Sequence, residues 1–529
     1  MYLTTCFPLL FLIFFATFVL HDTPFKMTKK LIAIIIISSY IWTSTAQHKK
    51  REMRAVWIAS VANIDWPSKK NLTPKEQRLE MTTMLDEFVK NNINAIFIQI
   101  RPTADAFYPS SYEPWSQWLT GKQGVKPSPY YDPLEFIIEE SHKRCIEVHA
   151  WLNPYRVTNS ESTEQLSKHH KYFKDPEMFL KYGGKTYFNP GLDETRQFLN
   201  KVVEEIVKKY DIDAIHFDDY FYPYKHQNDV FPDESTFQKF PRGFTNKNDW
   251  RRNNVNLIIA ELSQTIKNTK KWVEFGISPF GVWRNKSADP RGSATSATQN
   301  YDDLYADILK WLNEGTIDYV APQLYWEIGK KNANYEVLVK WWSENSCNKN
   351  LYIGLYNSNL GVKEAPSAWH RGNELVRQLN LNKKHPQIDG AAFYSANAFM
   401  KNKFGLNDSL KSNFYKYPAL SPISRNIKGE EAKTPTNFKI HKEGKKNILR
   451  WDETKDSNHL KAAYYVVYIF KGNQTGDVNK AENIFVKTYN NFVDITDFIE
   501  SHKDTYCFTV TAVNRFKHES TPSPSIIMQ

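Results

Sequence analysis

From residue 54 onward, short and nearly unbroken apolar runs alternate with longer stretches in which apolar residues return every three or four positions. Runs of the first kind read as strands buried on both faces, and stretches of the second kind as amphipathic helices packed over them. The runs fall at 54–60, 95–101, 146–153, 214–220, 274–280, 319–326, 351–357 and 390–396. Among the intervening helices, 74–91 opens with Thr73 as cap and Pro74 at its first position, and 193–210 carries apolar residues at helical spacing. This repeated strand–helix order predicts an α/β fold, a (β/α)8 TIM barrel over residues 51–417. An open doubly wound sheet with a phosphate turn would need glycines after the first strand, and RAVWIASVANIDWP, residues 54–67, has none.

The pattern changes after residue 417. PALSPISRNIKGEEAKTPT is rich in proline, serine and charge and reads as a linker, placed at 418–434. Residues 435–529 then show short alternating strands: NILRWDE with Trp451, AAYYVVYIF, and DTYCFTVTAVNRF with Tyr506 at its start. An early tryptophan and a tyrosine entering a late strand resemble a small all-β fibronectin type III sandwich, with Trp451 and Tyr506 in its core. Such a module implies spacing, or docking to an envelope partner, rather than chemistry.

Residues 1–46 carry two apolar runs, 7–20 and 31–37. The second has the anatomy of a secretory signal: Met27, then Lys29 and Lys30, an apolar centre, and Ser44-Thr45-Ala46 before Gln47. Translation is expected to start at Met27 and cleavage to follow Ala46. The product would work in the periplasm or cell envelope or be secreted, touching the membrane only through its export signal. Cys6 leaves with that segment, and Cys145, Cys347 and Cys507 are too scattered for a disulfide framework or a metal site. The net charge of +11 is spread thinly over many segments, with no dense basic block to follow nucleic-acid phosphates. Composition adds 15 Trp, 29 Tyr and 33 Phe, more than a core requires, and exposed aromatics at strand ends stack well on sugar rings.

Barrel enzymes keep their chemistry at the C-terminal ends of the strands. The fourth run, AIHFDDYFYP at 214–223, leads straight into two carboxylates. Strand alternation puts Ala214, His216 and Asp218 on one face and Ile215, Phe217 and Asp219 on the other. Asp219 would then join the chemistry, cap the next segment or pair with a lysine. Other ends offer Asn63, Asp65 and Trp66; Gln99, Arg101 and Asp105; His149, Trp151, Asn153 and Arg156; Ser278 and Trp283; Gln323, Tyr325, Trp326 and Glu327; and Tyr356.

Paired carboxylates among aromatics and amides are the equipment of a glycosidase. Asp218 is the candidate nucleophile or base, kept ionised if Arg101 reaches across the mouth. Glu327, beside Tyr325 and Trp326, is the candidate proton donor, with a surface role as its alternative. Trp151, Tyr220, Trp283, Tyr325 and Trp326 would stack on sugars, while Arg101, Asp105, His149, Asn153, His216 and Gln323 would bind hydroxyls. No acid lies in FGISPFGVW or LYIGLYNSN, which sets aside barrel glycosidases needing one on strand five or seven.

Six ordered segments carry a resemblance: EMRAVWIAS, QIRPTADAFYPSSYEPWSQWLTG, HAWLNPYR, IHFDDYFYP, FGISPFGVWRN and APQLYWEIG. Together, over residues 51–410, the chain resembles the glycosyl hydrolase-like 10 family of secreted and envelope proteins of bacteria. The resemblance implies a barrel glycoside hydrolase acting on bacterial glycan strands, including peptidoglycan-type cell-wall glycan, with Asp218 and Asp219 as the catalytic pair and no cofactor. Two other readings stand beside it. One is a sugar-binding barrel without activity; the other is a metal-dependent polysaccharide deacetylase using His149, His216 and the Asp pair, although no local HxxxH spacing supports it.

Overall fold

The computed structural model describes residues 48–528 apart from 228, 457 and 458. The expected export segment, with its start at Met27 and cleavage after Ala46, lies outside the described residues. In chain order the strands are β1 (Met53–Ile58), β2 (Ala95–Arg101), β3 (Glu147–Leu152), the hairpin β4 (Phe179–Tyr182) and β5 (Lys185–Phe188), β6 (Ala214–Phe217), β7 (Glu274–Ile277), β8 (Tyr319–Val320), β9 (Asn350–Leu355) and β10 (Ile388–Phe393). All but the hairpin close into one parallel barrel in the order β1-β10-β9-β8-β7-β6-β3-β2. The expected fold class is the observed one.

Alternation along each strand sorts the core into two layers. On β1, Val56 and Ile58 face the surrounding helices, whereas Met53, Ala55 and Trp57 face the barrel axis with Phe97, Trp151, Ala214, Tyr319 and Tyr352. Alanines and glycines inside the barrel leave room for these large rings. A Cβ on Gly276 would lie 1.9 Å from Cζ of Tyr319, so only glycine admits that ring. The sixth barrel strand is regular over two residues rather than the expected run to Trp326. Pro322 has no N–H to give a ladder, and pairing resumes only at Gln323, which bridges Phe280 and Gly354.

Helix Pro74–Lys90 starts as its sequence dictates. The Thr73 hydroxyl accepts from the Glu76 amide while the Glu76 carboxylate accepts from the Thr73 amide at 2.7 Å, and Gln77, Met81, Leu85 and Phe88 form its buried face.

Beyond the barrel, β11 (Lys439–Glu443), β12 (Lys446–Arg450), β13 (Tyr464–Lys471), β14 (Ile484–Thr488), β15 (Phe492–Asp494), β16 (Tyr506–Val513) and β17 (Ile526–Met528) make two antiparallel sheets, β11-β12-β15 and β14-β13-β16-β17. Trp451 is buried in the core of this small β domain, with Tyr506 half-buried at its edge. The segment linking it to the barrel is tied down: Leu420 donates to the Lys50 carbonyl at 2.8 Å and accepts from the Glu52 amide at 2.9 Å. The β domain packs over the N-terminal ends of the barrel strands, where Tyr464 and Tyr468 cluster with Cys145 and Leu420, and Lys50 pairs with Glu519 at 2.6 Å. That is the end of the barrel opposite the Asp pair.

Candidate active site

At the C-terminal mouth lies an open cavity of about 460 Å³. Its walls include Trp57, Trp151, Arg156, Tyr220, Phe280 and Trp326, and its carboxylates are Asp218 and Asp219. Strand β6 stops at Phe217, so the alternation expected to send the two acids to opposite faces no longer applies, and both side chains turn into the cavity.

The environments of the two acids differ. Asp218 is buried and accepts from Trp151 Nε1 at 3.0 Å, Asn153 Nδ2 at 3.3 Å and the Tyr220 amide at 3.3 Å. Burial, and then the negative charge of Asp219, push its pKa up to about 7, against the pull of Arg156 and the donors. Burial also raises Asp219, but the Tyr224 hydroxyl donates a short hydrogen bond to it and Gln323 donates at 3.3 Å, and both favour its ionised form. Gln323 is itself fixed by donating to the Ser278 carbonyl at 2.9 Å. The charge of Asp219 thus adds to burial at Asp218, whereas the Tyr224 and Gln323 donors oppose burial at Asp219.

Seven of the expected site residues line this cavity: Asp218, Asp219, Trp151, Tyr220, Gln323, Tyr325 and Trp326. Asn153 stands behind Asp218. The others lie elsewhere. The Glu327 carboxylate accepts from Trp369 Nε1 at 3.2 Å, pairs with Lys330 at 3.5 Å, and is not among the cavity's lining groups, so the turn after Trp326 carries it away from the Asp pair. Arg101 does not reach across the mouth to Asp218, so the ground for expecting that residue to stay ionised as nucleophile or base is gone. Its guanidinium is buried against Glu113 in a two-point pair at 2.7 and 2.5 Å, and Arg156 is the cation beside the carboxylates instead. Asp105 is buried on Thr103, its pKa pushed up to about 6 by burial, without lining the cavity. Trp283 is buried and stacked on Trp341 with ring centroids 5.8 Å apart, so it is core.

His149 and His216 are also interior groups, because strand parity points them at the axis below the mouth. Both bond the Tyr319 hydroxyl, at 2.7 and 3.0 Å. Glu147, His149 and Glu274 bring ligand atoms within 4.8 Å of one another, a grouping able to hold a metal ion. The Lys517 ammonium, 2.9 Å from Glu147 and 2.6 Å from Glu274, takes the cation's place. The deacetylase arrangement, with both histidines and the Asp pair on one ion, is not assembled.

Trp57, Tyr224, Phe280 and Tyr394 also line the cavity, although they are not among the residues expected at the strand ends. Trp57 and Tyr394 share the inward parity of Met53 and Ala392, which marks them on inspection; nothing in the loop sequence marks Tyr224.

A model of the glycosyl hydrolase-like 10 family matches residues 52–370. The chain belongs to that family. Within it, a glycosyl hydrolase of Bacillus subtilis, YngK, is 43% identical over 94% of this chain and 98% of its own length. The glycosyl hydrolase DigH of Escherichia coli is 38% identical over 66% of this chain and 84% of its own. Among solved structures, the catalytic domain of a β-amylase from Paenibacillus polymyxa aligns at 11% identity over 70% of this chain and 99% of that one, with a TM-score of 0.47.

Proposed function

We propose that this protein hydrolyses O-glycosidic bonds in a polysaccharide, with Asp218 as proton donor to the leaving oxygen and Asp219 as the carboxylate working with it. The division of one proton between two neighbouring acids carries the reading. A glycosidase needs one carboxyl kept neutral near its working pH and another kept charged, and Asp218, pushed up to about 7, and Asp219, bonded by Tyr224 and Gln323, meet that need. A protein that only bound sugars would gain nothing from a raised acid. The aromatic walls around the pair suit the apolar faces of pyranose rings.

Membership of a family with relatives that bear the name glycosyl hydrolase supports a glycan as substrate, and the glycan we propose is a bacterial one such as that of the cell wall. The chain is exported after cleavage at Ala46 and works in the periplasm, in the envelope or outside the cell. Its C-terminal β domain is a fibronectin type III-like module, a reading supported by its two antiparallel sheets and buried Trp451.

The test is product analysis on a panel of bacterial and plant polysaccharides that includes peptidoglycan strands freed of peptide. New reducing ends on a bacterial glycan are the expected result. Binding without cleavage would make the protein a sugar-binding barrel, and release of acetate without new reducing ends would make it a deacetylase.

A further inference from the structure

The barrel interior holds a string of polar groups that the cavity chemistry does not use. It begins at Trp57, whose indole belongs to the cavity wall and whose Nε1 donates to Nε2 of His216 at 3.2 Å. His216 Nδ1 lies 3.0 Å from the Tyr319 hydroxyl, which lies 2.7 Å from His149 Nδ1. His149 Nε2 in turn lies 3.3 Å from Oε2 of Glu147. Glu147 and Glu274 stand at the starts of β3 and β7, and the ammonium of Lys517, from the C-terminal β domain, sits between them at 2.9 and 2.6 Å. Every member is buried.

The direction of the string follows from its first link. An indole N–H can only donate, so His216 must present a bare Nε2 to Trp57 and carry its proton on Nδ1, towards Tyr319. Burial and then the nearby His149 hold His216 well below the ordinary imidazole range, which keeps it neutral. The Tyr319 oxygen accepts that proton's bond and donates its own to His149 Nδ1, leaving the His149 proton on Nε2, facing Glu147. Each hydrogen thus points from the cavity towards the barrel floor.

This polarity holds only while Glu147 accepts. A protonated Glu147 would donate to His149 and reverse every link, ending with an N–H on His216 Nε2 against the N–H of Trp57. Two buried donors facing each other would force the indole to move. Burial pushes the Glu147 carboxyl up and Asp213 adds to that, but Lys517 and His149 more than offset both, leaving it below its ordinary value. Glu274 shares the same ammonium from the other side, and its own pKa is raised by burial despite Lys517.

We propose that Lys517 is a positioning residue for the active barrel: by holding Glu147 as an acceptor at the floor, the C-terminal β domain fixes the direction of the internal string and with it the seat of Trp57 in the cavity wall. Its effect on turnover rests on the glycosidase reading, whereas its effect on the string does not.

The experiment uses the full chain with 15N-labelled histidine and tryptophan, and reads the imidazole shifts of His149 and His216 in the wild type, Lys517→Met and Glu274→Gln. The wild type is expected to show protons on Nδ1 at His216 and on Nε2 at His149. Lys517→Met is expected to reverse or mix both tautomers and to lower kcat/KM about tenfold or more on whichever glycan the wild type cleaves. Glu274→Gln, which touches the same ammonium from outside the string, is expected to leave both tautomers as they are. Wild-type tautomers in folded Lys517→Met overturn the proposal, and so do equal changes in Glu274→Gln. If Lys517→Met does not fold, Tyr319→Phe cuts the string without touching the floor; an unchanged Trp57 indole 15N resonance there overturns it, and a shifted one supports it. A wild type that cleaves no glycan would overturn the glycosidase reading alone, because the tautomer measurement needs no substrate.

Discussion

The guanidinium of Arg156 lies over the ring of Tyr220, 4.3 Å from its centroid, at the edge of the cavity that holds the Asp pair. From there its charge lowers the pKa of both Asp218 and Asp219, opposing the larger effect of burial. Arg156→Met should therefore raise the Asp218 pKa above about 7. A proton donor works below its pKa and fails as pH rises through it, so the alkaline limb of kcat/KM should move to higher pH. A limb that stays in place or moves down would show that the cation does not act on the acid.

Tyr224→Phe removes a donor that favours the charged form of Asp219. The Asp219 pKa should rise towards that of Asp218 and blur the division of labour between them. We expect kcat to fall about tenfold to a hundredfold with KM little changed. Steady-state kinetics on a soluble oligosaccharide checks this, and an unchanged kcat would remove Tyr224 from the catalytic arrangement.

The aromatic residues separate into two groups that one binding assay distinguishes. Trp326 lines the cavity and packs on Phe280, so Trp326→Ala should weaken glycan binding by about 1–3 kcal/mol, by analogy with base stacking. Trp283 is core, so Trp283→Ala should lower stability by about 3–5 kcal/mol while leaving the affinity of the folded fraction alone. Denaturant titration and calorimetry on both variants decide the matter.

Gly276→Ala would put a methyl group 1.9 Å from the Tyr319 ring at the centre of the barrel. Neither β7 nor the enclosed ring has room to yield. A loss of more than about 3 kcal/mol of stability is expected, visible as a large drop in the chemical unfolding midpoint.

The barrel was legible in the sequence because buried parallel strands leave unbroken apolar runs, and the bounds of β2 and the start of β6 follow directly from them. The Asp pair was legible because acids at the end of such a run have few structural uses. What the sequence could not convey was where a side chain goes once the strand stops. Parity assigned Asp219 to the wrong face because β6 ends at Phe217. Glu327 and Trp283 sit in turns whose course depends on tertiary packing, and Arg101 is claimed by Glu113, a partner from a loop with no periodicity. His149 and His216 share the inward parity of the strand-end residues, but one level deeper in the barrel, a distinction that residue spacing along one strand does not make.

The central claim is that Asp218 delivers the proton. The most direct measurement is the pH profile of kcat/KM for the wild type and Asp218→Asn on a glycan with a poor leaving group, beside the same pair on a substrate whose leaving group needs no protonation. The account predicts a wild-type alkaline limb near pH 7, where Asp218 loses its proton, and a loss of several orders of magnitude in Asp218→Asn on the natural linkage, largely relieved on the activated substrate. Equal loss on both substrates, or an alkaline limb that survives in Asp218→Asn, would contradict it.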